Sequence, residues 1–444
     1  MLFWKCRATK NNQLSKTRRY TPGGAYSRRR SILLTKYNEK KPKNQDLAKM
    51  IDKHVNDKTA ERIEDCNNFM TFIADCECVK GKQIGGSSCN NRLCPICMFR
   101  MSRKDALKIH VMMRYLEDVY GLVFVMASFT APNVKGVNLK DEISRYGKAF
   151  KNLEKRKDVS TINKGYIRKL EVTYNSNETI THDMWHGLNG RPPMGEYFAR
   201  KGLSIGDVNP NYDTYHTHYH VIFAVNKSYF KHKEYYIKHE TWLTMWREAM
   251  NDNSITQVDI RRVKKNPNGK GGSASEIAKY VAKDSDYLIN QEVFDVFYTA
   301  LKGRQLITYN KLFKDANKKY KAGELDHYKT LDTTEYVNML HYAWGGKTYN
   351  ETERRQLTEE EKKEFNGHLV NEADMSDDQI KGCHEYEKKT NTNNERCNSD
   401  NQQQQYNGIL RPNRLPCKNA SNARIRYSQR PDISIRQIPS KPPP

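Results

Sequence analysis

His216, His218 and His220 alternate with Thr217 and Tyr219, and the apolar run Val221-Ile222-Phe223-Ala224-Val225 follows directly. A β-strand has a side-chain period of two, so the three imidazoles project from one face. Imidazoles this close together suit a divalent metal. Glu171 sits in a second β-prone stretch, Lys169-Leu170-Glu171-Val172-Thr173-Tyr174, with Leu170, Val172 and Tyr174 on the opposite face. A carboxylate there needs a partner, which a metal held by two histidines would supply, as would Lys169 or Lys201.

A second cluster is made of sulfur. Cys89-x4-Cys94-Pro95-Ile96-Cys97 places three thiols within nine residues, and the Cys-Pro-Ile-Cys step is the tight knuckle that lets two sulfurs reach one tetrahedral zinc. The fourth ligand is to be found among Cys66, Cys76 and Cys78. Four sulfurs leave no open position for water, so this zinc would be structural. Ten cysteines in 444 residues, several of them clustered, fit a metal site in a reducing compartment better than a disulfide framework.

A third group lies at residues 273–283, where the spacing predicts a helix after the flexible Asn268-Gly269-Lys270-Gly271-Gly272. At 100° per residue Glu276, Tyr280 and Lys283 share one surface, while Ile277, Ala278 and Val281 turn toward a core. Glu276 also matches a capping box with Ser273. The glycines do not make a phosphate loop, because G-x4-G-K-[ST] is absent.

The elements that must position these groups are extended segments at 123–130, 166–174, 215–225 and 258–263, interleaved with helical ones such as 241–250. That order predicts an α+β domain, an antiparallel sheet with helices packed on it. Trp242 and Trp246 read as core anchors of their helix. A helix follows the knuckle from Arg103 to Val119, and His110 on it reads as structural. The net charge of +24 implies a polyanionic partner, nucleic acid before membrane. No apolar run is long enough to span a bilayer and no secretory leader is recognised at the start, so a cytoplasmic location is expected.

Composition divides the chain further. Residues 1–45 hold thirteen Lys or Arg against the single acid Glu39, so residues 1–50 read as a flexible basic arm. A zinc knuckle and helix occupy 60–120, the sheet domain 121–315, and a helical extension 316–365. Residues 366–444 are Asn/Gln-rich and end on three prolines, the composition of a disordered tail.

Taken together, Cys89-Asn90-Asn91-Arg92-Leu93-Cys94-Pro95-Ile96-Cys97, Glu171-Val172-Thr173-Tyr174-Asn175, His218-Tyr219-His220-Val221-Ile222-Phe223 with Tyr229-Phe230, and Glu276-Ile277-Ala278-Lys279-Tyr280-Val281-Ala282-Lys283-Asp284 resemble the Rep initiators of rolling-circle plasmids, a branch of the HUH endonuclease superfamily. The resemblance covers roughly residues 60–315. It implies an HUH nuclease core, with His218 and His220 as the pair that binds Mg²⁺ or Mn²⁺ and Glu171 completing the shell. His216 is then a third ligand or a substrate contact. It further implies Tyr280 as nucleophile, Glu276 as the residue that activates water in the terminating step, and Cys66 as the fourth zinc ligand. Lys279 or Lys283 would assist the phenol or hold phosphate. The implied partners are origin DNA, double- and single-stranded, and the host helicase and polymerase. One departure is that residues 123–133 match the family's first motif loosely, with Ala131-Pro132 at the strand end.

The same motifs would serve a transposase or a mobilisation relaxase. From other classes, a non-catalytic zinc-stabilised regulator and a phosphodiesterase without a covalent intermediate compete. A protein-DNA adduct separates the initiator from both.

Overall fold

A computed structural model describes residues 25–188, 193–263 and 284–370. The chain enters through α1 (Ala25–Ile51) and α2 (Asp57–Glu64), followed by the hairpin β1 (Phe69–Ala74) and β2 (Gly81–Gly86) and the long α3 (Pro95–Tyr120). Next come β3 (Val123–Thr130), α4 (Leu139–Lys155), α5 (Lys157–Ile162) and β4 (Gly165–Asn175). Two short helices, α6 (His182–His186) and α7 (Gly195–Ala199), precede β5 (Thr214–Val225), α8 (His239–Met250) and β6 (Val258–Arg262). After residues 264–283 the chain resumes with α9 (Asp284–Tyr287), α10 (Gln291–Leu301), β7 (Ile307–Tyr309) and α11 (Leu312–Lys321), and closes with β8 (Asn338–Trp344), β9 (Tyr349–Gln356) and α12 (Glu359–Phe365).

The α+β expectation holds, with two antiparallel sheets in place of one. The larger runs β6-β3-β5-β4-β7 and the smaller β2-β1-β8-β9. In the larger sheet β5 is central, paired along its length with β3 and β4. Its register sets two faces. Tyr215, Thr217, Tyr219, Val221, Phe223 and Val225 alternate with the histidines and are buried. Their aromatic members pack with Trp242, Trp246, Tyr146 and Phe150 from α8 and α4. The opposite face begins with His216, His218 and His220 and continues into Ile222 and Ala224, which pack with Ile109 and Met112 of α3 and Phe313 of α11. One half of that face is therefore polar and the other apolar. The first strand, loosely matched by motif, is a regular β3 that pairs on both sides.

Local signals explain the helix that carries the knuckle. Cys94 is its N-cap, Pro95 fills the first turn, where its missing N–H costs nothing, and Gly121 ends it in the left-handed conformation at φ 64°. The predicted start at Arg103 thus falls within the helix, two turns late.

Two boundaries need correction. Residues 25–50 are not a flexible arm but most of α1, whose Leu34, Tyr37, Lys41, Asn44, Leu47 and Ile51 are buried at helical spacing. Two of those core-facing residues are polar, so the apolar period is broken and the lysine density dominates the sequence. Residues 316–365 are not a helical extension either. Between α11 and α12, β8 pairs with β1 along six residues and β9 pairs with β8, so this stretch completes the sheet of the cysteine module. Residues 1–24 and 371–444 lie outside the described residues.

Candidate active site and metal centres

The register of the larger sheet collects polar side chains around the histidines. Paired residues share a face: Ser128 and Thr130 of β3 lie opposite His220 and His218, while Lys169, Glu171 and Thr173 of β4 lie opposite His220, His218 and His216. On the outer side of β3, Asp259 pairs with Ser128. The imidazoles of His216 and His218 stand 4.0 Å apart, and those of His218 and His220 are stacked at 5.9 Å.

His220 is fixed at both nitrogens. Its Nε2 donates to Glu171 Oε2 at 2.7 Å, and Ser128 Oγ lies 3.0 Å from its Nδ1. The carboxylate only accepts, so Nε2 carries a proton, and the serine hydroxyl can either donate to Nδ1 or accept from it. A hydroxyl serves either tautomer, which lets Ser128 keep its partner if Nε2 turns its lone pair to an ion. The sequence offered no signal for Ser128. A serine in an apolar strand gains meaning only once the register places it opposite His220.

Electrostatics keep one carboxylate ionised at this face. Burial pushes the Glu171 carboxyl up, but the His220 hydrogen bond and the charges of His220, His218 and Lys169 outweigh it and hold the group well below the usual carboxylate range. Burial lowers the His216 imidazole to about 4, against the Ala131 backbone hydrogen bond and Glu171, so it is neutral near pH 7, with one nitrogen donating to the Ala131 backbone and the other carrying a lone pair. Two imidazoles and a carboxylate are a donor set that Mn²⁺ or Mg²⁺ accepts. An ion would replace the hydrogen bond between Glu171 and His220.

The sulfur cluster is tighter. Cys66, Cys89, Cys94 and Cys97 are all buried, and their four sulfurs lie within 4.8 Å of one another, making a group that could bind a metal. Among the described residues no other group of three or more His, Cys, Asp or Glu side chains converges so closely. The separations Cys66–Cys97 3.5 Å, Cys89–Cys97 3.6 Å and Cys66–Cys94 3.6 Å match the edges of a sulfur tetrahedron around zinc. The thiols compete for ionisation: hydrogen bonds from its three neighbours push Cys97 down, while those with Cys66 push Cys89 and Cys94 up. Four thiolates at this spacing require a cation between them. Cys76 and Cys78, the other candidates for fourth ligand, are excluded because they lie in the β1–β2 turn, a strand length of roughly 20 Å from Cys66.

Tyr280, Glu276 and Lys283, with the helix expected at 273–283, lie outside the described residues. The chain that follows them is anchored twice. Asp286 Oδ2 accepts from the Tyr174 backbone N–H at 3.2 Å, and the buried Tyr287 hydroxyl donates to Leu93 O at 2.6 Å, beside Cys94.

A histidine-bearing central strand flanked by acidic and hydroxyl side chains, and a four-cysteine knuckle on a basic chain, are together compatible with a protein that acts on nucleic acid. The comparisons specify it: the model of the replication protein family matches residues 80–351, more than half of the chain, and the chain belongs to that family of plasmid rolling-circle replication initiators. It is 39% identical over 258 residues to a protein rep of Staphylococcus aureus, covering 58% of this chain and 96% of the relative. A protein rep of Bacillus amyloliquefaciens is 30% identical over 290 residues, 61% of this chain and 75% of the relative. One of Streptococcus pneumoniae is 26% identical over 278 residues, 62% and 76% respectively. No solved structure matches the chain. Among the described residues no helix is long and apolar enough to cross a membrane.

Proposed function

We propose that this initiator, of the HUH type, nicks one strand of origin DNA with Tyr280 and remains joined to it through a 5′-phosphotyrosine. The carrying observation is the His218, His220 and Glu171 face, buffered by Ser128, on a family member with the expected tyrosine motif. In this reading Tyr280 Oη attacks the scissile phosphorus in line, the phosphorus bond to the 3′ oxygen breaks, and the phenol proton passes to the surroundings as the 3′ oxygen gains one. Lys279 or Lys283 eases loss of the phenol proton or contacts the phosphate. A Mg²⁺ or Mn²⁺ on the His face would polarise a non-bridging oxygen and stabilise charge in the transition state. His216 joins as third ligand or phosphate contact. The freed 3′-OH primes synthesis by the host helicase and polymerase, and Glu276 later activates water to end the cycle.

Tether lengths support the reading. Asp286 is six residues beyond Tyr280 and lies within the helical α9, so the two are at most about 16 Å apart. Its anchor Tyr174 lies three residues along β4 from Glu171, roughly 10 Å. The tether length is thus compatible with the proposed meeting of phenol and imidazoles.

The test is nicking of supercoiled origin plasmid with Mn²⁺ by wild type, His218→Ala, His220→Ala and Glu171→Gln. Loss of at least about 100-fold in rate with unchanged origin binding is expected from each histidine variant. Wild-type nicking by both would overturn the assignment.

A further inference from the structure

Helix α1 reaches into the cysteine cluster with two side chains that the initiator reading leaves unused. Lys41 is fully buried. Its Nζ donates to Glu64 O at 2.6 Å, to Cys66 O at 2.9 Å and to Asn44 Oδ1 at 3.2 Å. Asn44, also fully buried, donates from Nδ2 to Ile63 O at 2.8 Å and to Cys94 Sγ at 3.4 Å. Backbone and side-chain N–H groups point at two of the remaining sulfurs: Cys89 N and Asn67 Nδ2 at Cys66 Sγ, and Asn91 N at Cys89 Sγ.

A lysine with no exposed surface needs a counter-charge close by, because an unanswered buried ammonium costs several kcal/mol. Carbonyl oxygens supply hydrogen bonds but no net charge. The acids nearest to its carbonyl partners are Glu64 itself and Asp65, the residue before Cys66. The two acids are exposed, so solvent and salt screen them. The cysteine cluster remains. Four neutral thiols offer no charge, whereas four thiolates around Zn²⁺ leave negative charge in excess, spread over buried sulfurs. The lysine and the donors directed at sulfur thus fit the metal-loaded state and not the protonated one.

We propose that Lys41 is the counter-ion of a tetrathiolate zinc centre and Asn44 its outer hydrogen-bond donor, so that zinc binding and docking of α1 are one equilibrium. This rests on reading the cysteine cluster as a zinc site. Zinc entry displaces the thiol protons to solvent, creates the charge that Lys41 answers and locks Leu34, Tyr37 and Leu47 onto the module. Zinc loss leaves the ammonium unanswered and releases the helix.

The experiment uses the full chain loaded with zinc and titrated with a chromophoric chelator, comparing wild type, Lys41→Met, Lys41→Arg, Asn44→Leu and Cys89→Ser. Trypsin cleavage within residues 34–51 is followed in parallel. Expected are one zinc per wild-type chain and affinity lowered about 10–100-fold by Lys41→Met or Asn44→Leu. Lys41→Arg, which keeps the charge, should bind more tightly than Lys41→Met. In wild type, cleavage of α1 should appear at the same chelator concentration that removes zinc, a readout that needs no substitution. Zinc held equally by Lys41→Met and wild type, or α1 protected after the metal has left, overturns the proposal. Failure of wild type to take up stoichiometric zinc overturns the cluster reading itself, and this result is distinguishable because it precedes any comparison of Lys41 variants.

Discussion

Single residues divide into those whose chemistry is visible from type and spacing and those that acquire it from a neighbour across the sheet. His216, His218 and His220 are of the first kind, since period-two alternation puts them on one face of a single strand, whereas Glu171, marked by its place mid-strand, reaches them through the register of β4. Ser128 and Lys169 are of the second, because only the register of β3 and β4 against β5 brings them to the imidazoles. Ser128→Ala should leave the fold intact and weaken Mn²⁺ binding about 10–100-fold, as loss of an outer partner of a metal-bound histidine does. Isothermal titration of the two proteins reads this directly, and equal affinities would remove Ser128 from the site. Glu171 carries a pH signature. Its folded pKa is depressed, so the stability it contributes is fully present above the unfolded value near 4.3 and is lost as pH falls toward the folded one. Denaturant unfolding of Glu171→Gln should therefore show a deficit at pH 7 that narrows below about pH 4.

At the scale of elements, the strands and helices that bear motifs are legible and those that brace them are not. The predicted segments 123–130, 166–174 and 215–225 lie within one or two residues of β3, β4 and β5 because β-branched and aromatic residues crowd them. The second sheet escapes because Gly81–Gly86 is glycine-rich and Tyr349–Gln356 is almost wholly polar, so neither shows the alternation of a half-buried strand. Helix α1 escapes for its buried Lys41 and Asn44 and for Pro42 within it. Its end is tied to α10, where Asp295 takes Lys53 at 2.8 Å and His54 at 2.7 Å. Burial opposes ionisation there, but hydrogen bonds from Lys53, His54 and Gln291 bring the Asp295 carboxyl down to about 2. The sign again puts the stabilisation above the unfolded carboxylate pKa, and it fades between about pH 4 and pH 2. Asp295→Asn should lower the thermal midpoint at pH 6 and have less effect at pH 3. The core behind the histidines depends on Trp246, fully buried, with Nε1 donating to Thr130 O at 2.8 Å. Trp246→Ala should cost about 3–5 kcal/mol of unfolding free energy, and a loss under 1 kcal/mol would show that β3 does not need this anchor.

For the whole molecule, the proposed mechanism gives charge and architecture one end: a chain of net charge +24 would hold polyanionic DNA against the histidine face. Residues 1–24 contain six Lys or Arg and no acid. If they reach phosphates, deleting them should flatten the dependence of log affinity on log salt by up to about 5 for duplex origin DNA. An unchanged slope would confine recognition to the folded part. The central claim concerns the phenol that this assembly serves. The direct measurement is a denaturing gel of labelled origin DNA after incubation with the full chain and Mn²⁺, with peptide mapping of any DNA-linked product. The account predicts a wild-type adduct that maps to Tyr280 and none from Tyr280→Phe. An adduct formed equally by the Phe variant, or origin cleavage at the wild-type rate without any adduct, would contradict it.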